Sequence, residues 1–493
     1  MSDSPLSRRS FIKAVPMVGT ILLAACAAPP APTPTAQPKP AAPAPTTAPA
    51  PAPTTAPAAA PTTAPAKPTT APAAAPTTVP AAAKPASGTV ATIRVNYRIG
   101  DKPEVFEKAW PKFMQDNPDI KIVGEPISFG AYDEYFAKLA SMMAADNLGD
   151  VVWVSAGSGP FMSQVFKGFF RPLDDLIAAT NYDLNVFYAG AMEGLKYEGK
   201  LYALPSDFHP GNQLMVYNKK MFDAAGVKYP TDDWTFDQFN DIAAKLTKRT
   251  GDKVDVFGYA PNLQAPSYEI LVRANGGSSI SADAKKSAVK DDPAKTAFLW
   301  LFDAMYNHKF ATRKQDQPKG GDELFFAEQA AIVTSGTGIV FNGPPRIGGK
   351  FQMGGVRTPV GKGGKHGGMI HIGGTAIYAK TKFPEQAFKV NAMLTSAENA
   401  LTRALEYGGY IPRKDLFESP VVREKGGQPW QVVLDASADP NLKPYFTPWN
   451  FRTSEMQSVI DQTTDGWWTG NKTFDAGLDE LDTALNVVLA KPR

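Results

Sequence analysis

The chain has 493 residues, with 51 basic and 48 acidic side chains and a formal net charge of +3. Six of the basic residues but only one acidic residue lie in the first 90 positions, which leaves 45 basic and 47 acidic residues beyond them. This balance excludes the basic field that a nucleic-acid-binding protein needs. The single cysteine, Cys26, excludes an intramolecular disulfide.

The first residues have the layout of an export signal. Paired arginines in 7–13 (SRRSFIK) precede a short apolar run over 14–25, about half the length that spans a bilayer core. The arginine segment resembles a twin-arginine signal, with a general secretory signal as the alternative. The run ends in LAAC at 23–26, which resembles a bacterial lipobox. Residues 1–26 therefore predict a lipoprotein signal with lipid on Cys26.

A low-complexity tract follows over residues 27–90. Pro, Ala and Thr dominate it, 19 of its 64 residues are Pro, and two valines are its only larger apolar residues. Such a composition cannot bury a core and favours an extended polyproline-II spacer. The tract predicts a disordered stalk or, alternatively, a neutral linker, and either one tethers the domain that follows outside the cell.

Residues 91–493 are enough for two packed lobes, and the first part alternates strand and helix. The strands that we predict here are 91–98, 120–123 and 151–154, and the helices are 106–116, 132–146 and 161–169. The third strand is wholly apolar, as in a buried parallel sheet. This order predicts an α/β lobe built on a mostly parallel sheet.

The pattern continues into a second α/β lobe. Strands over 201–205 and 213–217 are predicted to leave the first lobe. The later strands are predicted at 256–259 and 330–334, and the helices at 219–225, 235–248, 267–274, 293–306 and 323–327. We expect lobe 1 at about 91–205 with a returning segment near 354–379, lobe 2 at about 218–350, and a C-terminal helical part at about 384–493.

Ten segments carry a family resemblance through their order and spacing. They are 110–123 (WPKFMQDNPDIKIV), 149–152 (GDVV), 168–174 (GFFRPLD), 197–205 (YEGKLYALP), 217–220 (YNKK), 222–227 (FDAAGV), 274–277 (ANGG), 326–336, 372–374 (IGG) and 409–413 (GYIPR). The chain resembles the extracellular solute-binding proteins of bacterial ABC importers, in the group with maltose- and multiple-sugar-binding proteins. The resemblance implies a periplasmic-binding-protein-like fold, in which a multi-strand hinge joins two α/β lobes and ligand binds in the cleft between them.

Motifs for catalysis are missing. No Gly-x-Ser-x-Gly elbow occurs, and Ser158 lacks the flanking pattern of a nucleophile. Residues 343–350 (GPPRIGGK) superficially match a phosphate-binding loop but have the wrong spacing and lack its Ser or Thr, so we predict a turn. His366 and His371 have no nearby Cys, Asp or Glu to complete a metal site. We expect a binding protein with no metal and no cofactor; a secreted hydrolase and an adhesion module are the alternatives.

A sugar site needs a flat aromatic ring and converging polar groups. Ser155 and Ser158 follow the third strand, where backbone and hydroxyl contacts are expected. In the family, residues after the Pro of YEGKLYALP approach the ligand, so Asp207 is expected to accept hydroxyls and Phe208 or His209 to stack. The further candidates are Gln264, Tyr268, Thr337, Gly374, Trp449 and Arg413.

These candidates do not agree on one kind of ligand. Many relatives have a Trp near Thr337 where this chain has none, and Trp467 and Trp468 have the helical spacing of packing residues. Arg413 would favour an acidic group. We predict an exported, lipid-anchored monomer on the outer face of the membrane or in the periplasm. It would bind a sugar and deliver it to ABC permease subunits; a sugar acid, sugar phosphate, peptide or polyamine is the alternative ligand.

Overall fold

The computed structural model describes residues 90–99, 106–128, 132–156, 160–210, 214–408, 411–439 and 452–492. The predicted signal with Cys26, the Pro-rich tract up to residue 89, Ser158 and Trp449 lie outside the described residues. They therefore stay predictions.

The described ranges contain twelve strands and seventeen α-helices. The strands are β1 (Ala91–Ile99), β2 (Ile120–Ser128), β3 (Val151–Ser155), β4 (Lys196–Tyr197), β5 (Lys200–Leu201), β6 (Ala203–Pro210), β7 (Leu214–Asn218), β8 (Lys248–Thr250), β9 (Lys253–Ala260), β10 (Ala330–Ser335), β11 (Met353–Arg357) and β12 (Ile370–Ile377). The helices before β10 are α1 (Trp110–Asp116), α2 (Tyr132–Ala144), α3 (Phe161–Phe166), α4 (Asp174–Thr180), α5 (Ala189–Glu193), α6 (Lys219–Ala225), α7 (Phe236–Leu246), α8 (Ala265–Ala274), α9 (Asp292–Tyr306) and α10 (Gly321–Phe326). Those after it are α11 (Ile339–Ile347), α12 (Pro384–Leu394), α13 (Ala397–Arg403), α14 (Lys414–Phe417), α15 (Pro420–Ser437), α16 (Thr453–Trp468) and α17 (Phe474–Leu489).

The first lobe is built on a five-stranded sheet in the order β2-β1-β3-β12-β6. Strands β1, β2 and β3 run parallel, whereas β12 runs antiparallel to β3 and to β6. Residues of β3 are buried along its whole length, as the apolar run predicted. One hydrophobic core joins this sheet to α2, α3 and α12.

The second lobe is built on another five-stranded sheet, in the order β11-β7-β10-β9-β8. Only β9 and β10 are parallel here; the other neighbours are antiparallel. Two hydrophobic cores contain strands of this sheet, one with α7, α8 and α9 and the other with α10, α11 and α15. The two sheets confirm the predicted two-lobed α/β fold.

The chain crosses between the lobes in three places. Within the described ranges, the crossings lie between β6 and β7, between β11 and β12, and between α12 and α15. The C-terminal helices are divided between the lobes, since α12 packs in the first core and α16 and α17 pack in the second. The three crossings form the multi-strand connection that the resemblance implied, and connections of this kind act as hinges in domain closure.

Local signals explain where two of the helices of lobe 2 begin and end. Thr235 and Gln238 form a reciprocal capping box at the start of α7. Gly226 ends α6 in the left-handed conformation, at φ 64°. Residues 343–350, predicted to be a turn, are instead largely helical, because α11 continues through Pro344 and Pro345 to Ile347. Burial of the apolar side chains of α11 in the second lobe outweighs the poor helix propensity of its prolines.

Candidate functional site

The first lobe presents one edge of its sheet to the crossings. Ser155, the last residue of β3, pairs with Gly373 near the start of β12, and His371 pairs with His209 near the end of β6. The carboxyl ends of β1, β3 and β6 therefore lie at the edge where the chain leaves for the second lobe. Ligands of open α/β sheets bind beyond such carboxyl ends.

The second lobe presents a matching edge. Leu214, the first described residue after the crossing, pairs with Ser335 at the end of β10 and with Arg357 at the end of β11. Strand β9 runs parallel to β10, so its carboxyl end lies at the same edge. The two edges meet at the crossings, and the space between them is the candidate ligand cleft.

A buried polar network supports the edge of the first lobe. The carboxylate of Asp207 accepts hydrogen bonds from Trp153 Nε1 at 2.6 Å, Ser206 Oγ at 2.8 Å and Arg403 Nη2 at 2.8 Å. Burial disfavours the charged carboxylate, but the charge of Arg403 and the bonds from Trp153 and Ser206 outweigh it, so the pKa of Asp207 lies below its usual value. The carboxylate that was expected to accept ligand hydroxyls is therefore hydrogen-bonded to three donors of the protein itself.

Glycine makes room for that network. A Cβ on Gly373 would lie 2.6 Å from Asp207 Oδ2, and a Cβ on Gly374 would lie 2.9 Å from the carbonyl oxygen of Leu204. The pairing of β12 with β6 shifts register between these two glycines. The IGG motif therefore serves close strand packing here, including at the predicted ligand contact Gly374.

Two histidines and an arginine lie beside the network. The rings of His209 and His371 are both buried, with centroids 4.9 Å apart. Burial lowers the pKa of His371 to about 4, opposed by Asp207 and reinforced by Arg98, so its imidazole is neutral at neutral pH. The Arg98 guanidinium lies 5.0 Å from the centre of the Trp153 ring.

The edge of the second lobe carries a polar cavity of about 350 Å³. Its lining comes from the loop after β9, the segment before and into α10, the end of β10, and α11. The lining residues are Pro261, Asn262, Leu263, Gln264, Lys314, Gln317, Lys319, Gly320, Gly321, Asp322, Glu323, Thr334 and Arg346. This volume falls in the range of small-molecule sites.

The predicted site residues are distributed unevenly around this cleft. Gln264 lines the cavity, and His209 and Ser155 lie buried at the opposite edge. Phe208 stacks on Tyr188 inside the first lobe, with centroids 5.0 Å apart. The structure thus brings Ser155, Asp207 and His209 together at one edge and Gln264 to the other.

Three predicted residues lie elsewhere. Tyr268 packs in the core of the second lobe, 5.6 Å from the ring of Trp468. Thr337 is fully buried, and its hydroxyl has no hydrogen-bond partner in the part of the chain that the structure describes. Arg413 is paired with Asp415 at 2.9 Å and lies over the ring of Phe187.

Sequence reasoning missed several groups at the two edges. Arg98 is the last residue but one of β1, so the rule that selected Ser155 could have found it. Asn262 follows β9 in the same way. Asp322 had no such signal, because it lies at the start of α10 and reaches the edge through a hydrogen bond that Ser335 Oγ donates at 3.0 Å.

Two features are absent from the described ranges. No group of three or more His, Cys, Asp or Glu side chains there is arranged to hold a metal ion. Among the helices of the same ranges, none combines the length and hydropathy that crossing a membrane requires.

Comparisons with known proteins place this architecture. The model of the family described as bacterial extracellular solute-binding protein matches residues 100–401. The arabinooligosaccharide-binding protein of Halalkalibacterium halodurans is 23% identical over 401 residues, which cover 74% of this chain and 84% of the relative. The sn-glycerol-3-phosphate-binding periplasmic protein UgpB of Pectobacterium atrosepticum is 24% identical over 403 residues, covering 77% and 87%.

Solved structures agree on the fold. The substrate-binding protein Lmo0181 of Listeria monocytogenes, in complex with cycloalternan, superposes with a TM-score of 0.70 at 20% identity, covering 81% of this chain and 98% of that one. Maltose-bound MalE3 of T. maritima gives 0.68 at 19% identity, covering 80% and 99%. At this level of identity the likeness concerns the fold.

Proposed function

Because the chain belongs to the bacterial extracellular solute-binding protein family, we propose that it captures a mono- or oligosaccharide between its lobes and delivers it to an ABC permease. One observation carries the proposal: the polar edges of the two α/β sheets both lie where the chain crosses between the lobes. Closing the lobes would bury a small ligand and change the surface that a permease contacts.

The groups at the two edges support a carbohydrate. Sugar hydroxyls both donate and accept hydrogen bonds, and the cavity of the second lobe is lined by amide, carboxylate and ammonium groups that can pair with them. The relative at 23% identity is named for binding arabino-oligosaccharides. The two solved structures hold cycloalternan and maltose. We propose Gln264 and Asn262 in the second lobe, and Ser155, His209 and Arg98 in the first, as the groups nearest the ligand.

A thermal-shift panel tests the substrate class. Arabino-oligosaccharides, maltotriose and glycerophosphocholine would be compared with a peptide mixture and a polyamine on the full chain. A ligand at 100 times its Kd adds about 2.7 kcal/mol to the stability of the native state, enough to raise Tm by a few degrees. Stabilisation by sugars alone supports the proposal; stabilisation by peptides or polyamines alone contradicts it.

A phosphorylated or acidic solute is the second candidate. Lys314, Lys319 and Arg346 line the cavity, and such cations suit phosphate or carboxylate. The relative named for sn-glycerol 3-phosphate supports this alternative. A response to glycerophosphocholine or a sugar acid, without one to neutral oligosaccharides, would select it.

We propose further that the protein acts without catalysis. Asp207, the most deeply buried carboxylate at the first edge, is bound by three protein donors, and His371 is held neutral by burial. Neither group is arranged as half of an acid–base pair for glycoside cleavage. Chromogenic glycosides should show no turnover above that of heat-denatured protein; saturable turnover would overturn this part.

The site of action outside the cell fits the predicted lipid anchor. We propose export through the signal in residues 1–26, lipid attachment at Cys26 and a monomer held on the stalk of residues 27–90. Mass spectrometry of the membrane fraction should find a diacylated Cys26 at the mature N-terminus. A soluble Cys26→Ala variant is expected, and unchanged membrane attachment of that variant would contradict the anchor.

A further inference from the structure

The cavity of the second lobe is lined by two side-chain oxygens that lack a hydrogen-bond donor. Asp322 receives one hydrogen bond, from Ser335 Oγ to its Oδ2, and within the described residues nothing donates to its Oδ1. The side-chain oxygen of Asn262 is buried and has no hydrogen-bond partner in the described ranges. Both residues line the same cavity, so a bound molecule that donates hydrogen bonds would satisfy Asp322 directly and Asn262 after its amide group turns toward the cavity.

The charges around these oxygens are mostly paired. Glu323 is bound by Arg346 at 2.5 Å, and Lys314 forms an ion pair with Asp465. Lys319 is exposed at the cavity and makes no ion pair or hydrogen bond among the described residues. Besides the side-chain amide of Gln264, the groups with unused hydrogen-bonding capacity include the Asp322 carboxylate, the Asn262 amide oxygen and the Lys319 ammonium.

Their chemistry discriminates between classes of ligand. The charged group of an anionic ligand would suit Lys319 but would be repelled by the carboxylate of Asp322. A polyamine offers only donors, which suit Asp322 but leave Lys319 unsatisfied. Neighbouring hydroxyl groups of a neutral sugar both donate and accept, so they match all three groups.

We propose that Asp322 and Asn262 are specificity-determining residues of the second lobe, which accept hydrogen bonds from hydroxyl groups of a neutral carbohydrate. The inference rests on the proposed function and deepens it. Asp322 lies outside the strand ends that the family resemblance singled out, on the first turn of α10. It selects hydroxyl-bearing ligands, because a ligand without donors would cover the partly exposed Asp322 carboxylate and leave its Oδ1 without a partner.

The protonation state of Asp322 adds a testable signature. Burial raises its pKa to about 6, with Ser335 and Arg346 opposing and Glu323 reinforcing. A hydroxyl that donates to the carboxylate favours its charged form, so ligand binding is linked to proton release. The groups that face Asp322 are Ser335 from β10 and Arg346 from α11, with Glu323 on its own helix and Lys319 before it.

The experiment measures the Kd of arabinotriose and maltotriose at about pH 5 and about pH 7.5 for the wild type and Asp322→Asn. We expect wild-type affinity to weaken roughly tenfold at the lower pH. Asp322→Asn should weaken binding by about tenfold or more at the higher pH and remove most of the pH dependence. Asp241→Asn, an exposed carboxylate on α7, is the matched control and should leave both unchanged.

Two further variants keep the result interpretable. Ser335→Ala removes the internal donor, so the pH dependence of binding should move to higher pH even if Asp322→Asn folds poorly. Asn262→Ala should weaken binding without altering the pH dependence. Wild-type affinity and pH dependence in Asp322→Asn would overturn this inference and spare the proposed function, whereas failure of the wild type to bind either sugar or any neutral carbohydrate would overturn both.

Discussion

Removing the cation of the Asp207–Arg403 pair should destabilise the first lobe strongly. Arg403→Met keeps an apolar side-chain stem. The guanidinium that it removes lies over the Phe106 ring, 4.9 Å from the ring centre. The substitution removes the partner of a carboxylate that is only 7% exposed. Breaking a buried pair in this way costs about 3–5 kcal/mol.

We expect the low end of that range, about 3 kcal/mol, because Trp153 and Ser206 still donate to the carboxylate. Since the pKa of Asp207 is lowered in the folded protein, its contribution is present above the pKa of the unfolded chain and is lost as pH falls through the folded value. The excess cost of Arg403→Met should therefore shrink in acid.

Urea unfolding followed by Trp fluorescence measures this cost. Arg423→Met is the matched control, because Arg423 is exposed and its ion-pair distance to the Glu418 carboxylate is 3.8 Å. An exposed pair contributes under about 1 kcal/mol. If Arg403→Met cost no more than Arg423→Met, or if its cost did not change with pH, the assignment of Asp207 as a buried, charge-paired support would be refuted.

Three further perturbations test other parts of the structure. Asp322→Asn should flatten the pH dependence of thermal stability. Because burial raises the pKa of Asp322 to about 6, the wild type loses about 1–3 kcal/mol of stability as pH rises through that value, and the variant does not. The same slope of stability against pH in both proteins would contradict the burial of this carboxylate. Gly373→Ala places a Cβ 2.6 Å from Asp207 Oδ2 and should lower the free energy of unfolding by about 1–3 kcal/mol in urea titrations. An unchanged free energy of unfolding would show that β12 shifts to make room for the methyl group. Gly367→Ala places a Cβ 1.7 Å from the carbonyl oxygen of Ile270, so amide exchange in α8 should increase; unaltered exchange would show that this crossing is not packed against the helix.

Much of the architecture could be predicted from local pattern. The wholly apolar run at 151–154 and the alternation of strands and helices specify an α/β lobe with a mostly parallel sheet, because only burial on both faces accommodates such strands. Caps such as Thr235 and Gly226 mark helix ends through hydrogen bonds with near neighbours. The failure at 343–350 has a tertiary cause, since burial of α11 outweighs the propensity of its prolines.

The residues of the candidate site likewise fall into those that the sequence predicted and those that only the tertiary structure shows. Sequence alone determined which segments follow strand ends, a local feature of the chain, and so it predicted Ser155. The family resemblance predicted His209 and Gln264, and all three stay predictions of ligand contact. Only the tertiary structure decided that Asp207 is held by Arg403, 196 positions away, and that Asp322 lines the cavity through Ser335. Whether a carboxylate supports an edge or faces a ligand depends on which distant donors reach it, and no local pattern encodes that choice.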